Sequence, residues 1–216
     1  MKKADTRFFI GIDPAIGNTG VVILNSLGNN IGLLNTDNVA GRKDRPYYEF
    51  HRLEAITNSI IGFIRNKTNP VPSEIRICLE NYSYNSDNKA FVIGELGGVL
   101  RLSLVKNFGH LQLVEPTVVK KFATGSGGAG KTEMIRHARI EDDIIAAIPE
   151  AKLTSDICDA FHLAKFCWYR YAGTDVLQHE KHRRLLRLRM ELAIKADETA
   201  DRGEKYVRKR KRAGKG

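Results

Sequence analysis

Four carboxylates in this 216-residue chain stand in settings where an acid is costly unless something binds it. Asp13 ends an apolar run, RFFIGID, and opens the turn-rich PAIGNTG, while Glu80 ends a second run inside ICLENYSYN. Asp156 and Asp159 lie at i and i+3 in SDICDAFHLA, among Ile157, Ala160, Leu163 and Ala164. On a helix that spacing puts both acids on one face, about one turn apart. If the strands ending in Asp13 and Glu80 are neighbours, both side chains project at one sheet edge, where open sheets host ligands. Acids in apolar surroundings cost free energy unless paired or bound to metal. Four hard oxygen donors suit two Mg²⁺ ions, one to activate water and one to stabilise the leaving oxygen of a phosphodiester. Simpler readings stand beside this one. Asp13 can be a turn residue, Glu80 a solvated strand end, and Asp156 a helix N-terminal acid favoured by the macrodipole. Taken jointly they explain less than a metal site does. His162, one turn beyond Asp159, reads either as an accessory to that site or as a hydrogen-bonded core residue.

A glycine-rich stretch, GSGGAGKT at 125–132, matches the G-x-x-x-x-G-K-S/T nucleotide-binding pattern letter for letter. A nucleotide-binding loop of this kind follows a buried parallel strand and needs a later apolar strand ending in Asp for magnesium. Here TVVKKFAT precedes it and reads as a helical turn, and no such strand follows, so an ATPase is the lesser reading and no nucleotide cofactor is expected. The backbone N–H groups of the loop, with Lys120, Lys121 and Lys131, still make a cradle for a DNA backbone phosphate.

The elements needed to position these groups follow from hydrophobic period and turn signals. RFFIGID (7–13), GVVILNS and IGLLNT read as three strands joined by tight turns, an antiparallel meander. A helix over 47–67 carries Phe50, Leu53, Ile56, Ile60, Ile61 and Ile64 at a three-to-four residue period. IRICLE (75–80) and LQLVEP (111–116) read as core-type strands. Helices are expected over 89–107, over TVVKKFAT, over 132–147 and over 155–172, with a basic helix over 176–200 and a disordered end. Gly94, Gly97 and Gly98 provide a face for close packing, either against the sheet or at an interface. A meander followed by alternating helix and strand is an α/β layout with a mixed sheet.

Lys and Arg number 35 against 25 Asp and Glu, a net charge of +10, but the excess is uneven. Residues 1–174 carry a net +3 and residues 175–216 a net +7, concentrated in KHRRLLRLRM and YVRKRKRAGKG. The chain therefore divides into a domain over 1–174 and a basic extension over 175–216. Such an extension is a handle for a polyanion, most often nucleic acid, or else a solvated tail. Leu185, Leu188 and Leu192 make a poor membrane face, no stretch is long and apolar enough to span a bilayer, and no membrane partner is expected. The N-terminus lacks a signal-peptide pattern. Cys78, Cys158 and Cys167 form no CxxC pair, so a reducing intracellular, cytoplasmic setting is expected.

Four segments together resemble the RuvC-like Holliday junction resolvases of the RNase H-like superfamily. GIDPAIGNTG is similar to the family's first-strand motif GIDPGxxxTG. LENYSYNSDNKAFVIGELGG resembles its second, a strand-end Glu followed by a helix with G-x-x-x-G, here Gly94 and Gly98. VEPTVVKKFATGSGGAGKTEM resembles its P-x-x-V-K…G-x-G-x-A-x-K segment, and SDICDAFHLA its closing D-x-x-D-A. The resemblance covers about residues 7–172. It implies an RNase H-like mixed sheet flanked by helices, with Asp13, Glu80, Asp156 and Asp159 as catalytic metal ligands. It also implies phosphate contacts from Gly125, Gly127, Lys131 and one of Lys120 and Lys121. Ala15 stands where the family usually has Gly. Ser83 falls at the place of an aromatic wedge, flanked by Tyr82 and Tyr84, either of which could enter a junction.

The expected activity is that of a Mg²⁺-dependent structure-selective endodeoxyribonuclease, with Mn²⁺ as a substitute metal. It would nick four-way (Holliday) junctions symmetrically as a homodimer in DNA recombination and repair. Three rivals are a catalytically inactive or broader-specificity branched-DNA-binding protein of the same fold (flaps, forks), the P-loop ATPase, and a sugar-kinase-like phosphotransferase. The last needs two such domains, for which 216 residues are too few. A viral or phage origin is compatible with the extra tail.

Overall fold

A computed structural model of the chain describes residues 8–37, 39, 48–69, 74–81 and 90–172. Five strands form one sheet: β1 (Phe8–Asp13), β2 (Gly20–Asn25), β3 (Asn30–Asn35), β4 (Ile75–Glu80) and β5 (Gln112–Val114). Around it lie α1 (Tyr48–Thr68), α2 (Ala90–Phe108), α3 (Pro116–Thr124), α4 (Lys131–Glu141), the short α5 (Asp143–Ala146) and α6 (Ser155–Tyr171). The strand order is β3-β2-β1-β4-β5. The meander β1–β2–β3 is antiparallel, and β4 and β5 add to β1 in parallel.

Strand character follows position. β1, β2 and β4 are central and covered on both faces, so they are apolar almost throughout rather than alternating. On one face Ile10, Ile12, Ile77 and Leu79 meet Leu53, Ile56, Ile60 and Ile64 of α1 and Leu96, Leu100 and Leu104 of α2. On the other, Phe9, Val22, Leu24 and Cys78 meet α3, α4 and α6 through Phe122, Met134, Phe161 and Trp168.

α6 lies closer to the sheet than side chains normally permit. A Cβ built on Gly11 of β1 would stand 2.0 Å from the Ala160 carbonyl oxygen and 2.2 Å from the Ala164 nitrogen. One on Gly20 of β2 would stand 2.1 Å from the Asp156 carbonyl oxygen. At the far end Gly28, with φ +78°, lets the β2–β3 turn pack on the Trp168 ring, whose Nε1 donates to the Ser26 carbonyl at 3.0 Å. Three glycines thus set the height of α6 along its whole length.

Some expected boundaries shift for local reasons. LQLVEP contributes only Gln112–Val114, because Pro116 starts α3 at once and its fixed φ suits a first helical turn. The single helix expected over 132–147 is two. Asp142 takes an extended conformation (φ −144°, ψ 116°), and its side chain accepts from the Ile145 N–H at 2.9 Å, ending α4 and capping α5. Gly94 and Gly98 of α2 do not pack closely on the sheet: among the described residues, a Cβ on either would meet nothing within 4 Å. Gly97 alone of the three is buried. Tyr82, Tyr84 and the basic helix expected over 176–200 lie outside the described residues.

The contact at Gly11 is testable. Gly11→Ala forces a methyl group into backbone atoms that cannot rotate away, and the expected loss is about 3 kcal/mol or more in urea unfolding. A variant as stable as the parent would mean that α6 does not need this approach.

Candidate active site

Asp13 and Glu80 end adjacent parallel strands: the β1–β4 register pairs Ile12 with Leu79, which sets the two acids side by side. The alternation of β1 and β4 turns both toward α6. α6 begins at Ser155, so Asp156 and Asp159 occupy its first two turns, and the Gly20 contact presses that end of the helix onto the sheet. Thr154 caps the helix, accepting from the Ile157 N–H at 3.4 Å, and itself accepts from Asn35 Nδ2 at 3.1 Å. The four acids are thereby brought together by β1, β4 and α6.

The loop after Asp13 is built around Thr19. Its hydroxyl donates to the Ala15 carbonyl at 2.8 Å and accepts from the Ala15 N–H at 3.2 Å. The Thr19 N–H donates to Thr36 Oγ1 at 2.9 Å, and Arg52 of α1 reaches the Ile16 carbonyl at 2.8 Å. Ser155 Oγ donates to Asp156 Oδ1 at 3.4 Å, and Asn18, in the same loop, also favours the ionised Asp156 carboxylate. Neither was singled out from the sequence, although Asn18 lies in the quoted GIDPAIGNTG motif and Ser155 directly precedes Asp156.

Crowding shows in the protonation of the acids. Burial, then the Glu80 charge and a hydrogen bond to Glu80, push the Asp13 carboxyl well above its ordinary range. Glu80 is raised chiefly by burial, and the hydrogen bond from Asp13 opposes the rise. The two neighbouring carboxyls thus hold a proton more readily as a pair than either would alone. Burial, with Asp13 and Asp156 nearby, lifts Asp159 to about 7. Asp156 is raised by burial, against the pull of Lys131, Ser155 and Asn18.

Two lysines oppose this negative charge. Lys131, the first residue of α4, acts on Asp13, Asp156 and Asp159, and Lys120 of α3 acts on Glu80 and Asp159. Lys121 is not among the principal charges acting on any of the four, which separates the two lysines left equivalent by the sequence. Gly125 ends α3 with φ +86°, a left-handed conformation that favours glycine, and its N–H returns to the Lys121 carbonyl at 2.9 Å. Gly127 lies in the turn that follows, Ala129 is buried, and Gly130 caps α4. The glycine loop thus joins two helices and does not follow a parallel strand, unlike a nucleotide-binding P-loop. His162 is fully buried, its Nε2 donating to the Met134 carbonyl at 3.1 Å with the ring edge-on to Phe161. It belongs to the packing of α6 on α4.

The donor set suits a hard divalent cation. Asp159 Oδ1 is buried and, among the described residues, has no hydrogen-bond partner, an expensive state for a carboxylate oxygen unless a cation takes it. Among the described residues no three Asp, Glu, His or Cys side chains are already drawn into metal-ligating geometry.

A mixed sheet with acids from its first strand, its fourth strand and a C-terminal helix is the arrangement of RNase H-like nucleases. The family described as crossover junction endodeoxyribonuclease RuvC matches residues 9–166. The chain belongs to the RuvC family. It is 28% identical to the RuvC of Rickettsia prowazekii over 73% of this chain and 94% of that one. It is 30% identical to that of an Anaeromyxobacter species over 76% and 74%. Thermus thermophilus RuvC has the same fold, with TM-score 0.55 and 20% identity over 77% of this chain and 97% of that one. For that RuvC in complex with Holliday junction substrate the values are 0.57, 21%, 78% and 97%. The nucleases of this family are metal-dependent.

The raised acids predict a pH-dependent stability in chelator. Asp159 titrates near 7 in the fold against an ordinary 3.8, so the folded state holds its proton more tightly than the unfolded chain. The stability tied to that proton is complete below about pH 4 and lost as pH rises through 7. Asp159→Asn should therefore raise stability at pH 8 by on the order of 2 kcal/mol in urea unfolding, with the gain vanishing near pH 4.

Proposed function

We propose that this chain is a metal-dependent endodeoxyribonuclease that nicks four-way DNA junctions by paired symmetric cuts. The carrying observation is the convergence of Asp13, Glu80, Asp156 and Asp159 at one end of the sheet, faced by Lys120 and Lys131. These four acids are the residues that would hold Mg²⁺, or Mn²⁺ in its place, with enough oxygens to share between two ions. Divalent cations bound there supply the positive charge that favours ionised water and offsets charge on a phosphodiester undergoing hydrolysis.

The chain's own residues do the positioning. Lys131, at the N-terminal end of α4, combines its ammonium with exposed backbone N–H groups, and both favour a phosphate oxygen. Lys120 stands nearer Glu80, so the two cations frame the acids from α3 and α4. Gly125 and Gly127 keep the connecting loop low enough for a strand to approach. Tyr82 and Tyr84, two and four residues after Glu80, are the candidates for contact with unstacked bases at the branch. Paired cuts need two sites, and exposed Val99, Leu102 and Val105 on α2 with Phe50 on α1 offer an apolar surface for a two-fold dimer. The 1–174 domain would carry the chemistry and the 175–216 extension the non-specific affinity, in the cytoplasm or an equivalent reducing compartment.

Labelled four-way junction, fork and linear duplex, each with Mg²⁺ and with EDTA, test the reading. The junction should be nicked at symmetric positions only with Mg²⁺, and equal cutting of all three substrates would defeat the assignment. Asp13→Asn should reduce nicking below detection while junction binding stays within a few-fold; nicking that persists removes Asp13 from the mechanism. A chain ended after Thr174 should bind DNA more weakly with a shallower salt dependence, yet still nick at saturating enzyme. Loss of turnover at saturation would assign the extension a role in the fold or dimer.

A further inference from the structure

Asn81 follows Glu80 by one residue and faces the opposite side of the sheet. Ile75, Ile77 and Leu79 of β4 belong to the core under α1 and α2, whereas Cys78 belongs to the core under α6. Continued by one step each, that alternation puts Glu80 on the α6 side and Asn81 on the α2 side. The Asn81 N–H donates to the Val114 carbonyl at 2.8 Å, carrying the parallel ladder one bond beyond the Glu80–Val114 pair. Its side chain is held at both ends. Nδ2 donates to Glu115 Oε1 at 2.5 Å, and Oδ1 accepts from a terminal nitrogen of Arg101 at 2.9 Å. A carboxylate on one side and a guanidinium on the other fix which way the amide faces. Arg101 comes from α2 and Glu115 directly precedes α3, so three elements are tied at the residue beside Glu80.

The tie sits where β4 needs it. The charges of Asp156 and Asp159 bear on Glu80, and repulsion of that kind pushes a strand end away from α6. Among the described residues, β4 pairs on its outer side with the three residues of β5, and ladder ends are where strands open first. Resistance therefore has to come from the face away from the acids. The guanidinium and carboxylate offset each other across the neutral amide, so the bridge restrains β4 without adding net charge next to the site.

We infer that the Arg101–Asn81–Glu115 bridge, on the face of the sheet opposite the acids, is a positioning device that holds Glu80 toward α6 for cation binding. It rests on the proposal that Glu80 is a metal ligand. Outer partners of this kind govern metal affinity as well as activity, typically by 10–100-fold.

Calorimetric titration of Mn²⁺ into the full-length chain without DNA tests the bridge, using Asn81→Leu, Arg101→Leu, Arg101→Lys and Glu80→Gln. Circular dichroism melts establish that each variant is folded at the titration temperature. Asn81→Leu and Arg101→Leu should each weaken Mn²⁺ binding about tenfold. Arg101→Lys keeps a charged donor for Asn81 Oδ1 and should recover most of that loss, which a role confined to packing would not give. If Asn81→Leu does not fold, the contrast between the two Arg101 variants decides. Parent-like binding in Arg101→Leu, with Mn²⁺ lost in Glu80→Gln, overturns the bridge and leaves the ligand assignment standing. Parent-like binding in Glu80→Gln overturns the assignment and the bridge with it.

Discussion

The active end of this molecule depends on a contact that contains no side chain. At Gly11 and Gly20 the backbone of α6 lies where a Cβ would be about 2 Å from helix backbone atoms. A helix normally packs on a sheet through its side chains, and that spacing would lift the first turns of α6 away from β1. The two glycines remove it, and Gly20 does so directly beneath Asp156. Asp156 and Asp159 consequently share a negative field with Asp13 and Glu80 rather than standing off as solvated helix acids. The C-terminal end of α6 is held at matching height by the Trp168 ring on Gly28. Tilt and height of the helix are both set by residues whose contribution is to leave space.

That closeness opposes stability in the absence of a cation. Burial raises all four acids, and like charge adds to it at Asp13, Glu80 and Asp159. Beyond the pull of Lys120 and Lys131, the fold compensates at the edges of the site. Thr19 stiffens the loop beyond Asp13, Thr154 fixes the start of α6, and Asn35 joins that cap to the end of β3. Such restraints lower the cost of assembling the ligands without neutralising them. A site that satisfied its own charges with arginine would be steadier and would offer less to a divalent ion.

Much of this was legible in the sequence, because the informative features are local. RFFIGID and IRICLE are apolar runs with an acid at the end, and GSGGAGKT carries its glycines and lysine in a short span. The four acids were found since each breaks an apolar pattern. Less visible were features that depend on long-range register. Nothing in LQLVEP says that its strand stops at Val114, except that Pro116 can begin a helix. Asp142 interrupts an otherwise helical stretch because its side chain reaches the Ile145 N–H, a competition that periodicity does not record. Spacing draws attention to the glycines of α2, whereas the close approach to the sheet is made by Gly11 and Gly20, in strands where glycine looks unremarkable in sequence. Lys120 and Lys121 could not be separated until α3 was oriented against Glu80.

The net charge of +10 also has to be understood by location. Residues 1–174 are close to neutral, and the site itself is negative, so the first thing a DNA phosphate meets at the acids is repulsion. Lys131 and Lys120 reduce that repulsion, but they are two charges against four carboxylates. A phosphate oxygen gains from approaching these acids only when further positive charge is present, which couples close binding at the site to the cation that the chemistry requires. The seven net charges after residue 174 would, on the proposed function, attract a polyanion with or without metal. On the proposed function, affinity and reactivity would fall to different parts of one chain: the extension would retain DNA, and the phosphate to be cut would approach the acids only with the cation in place.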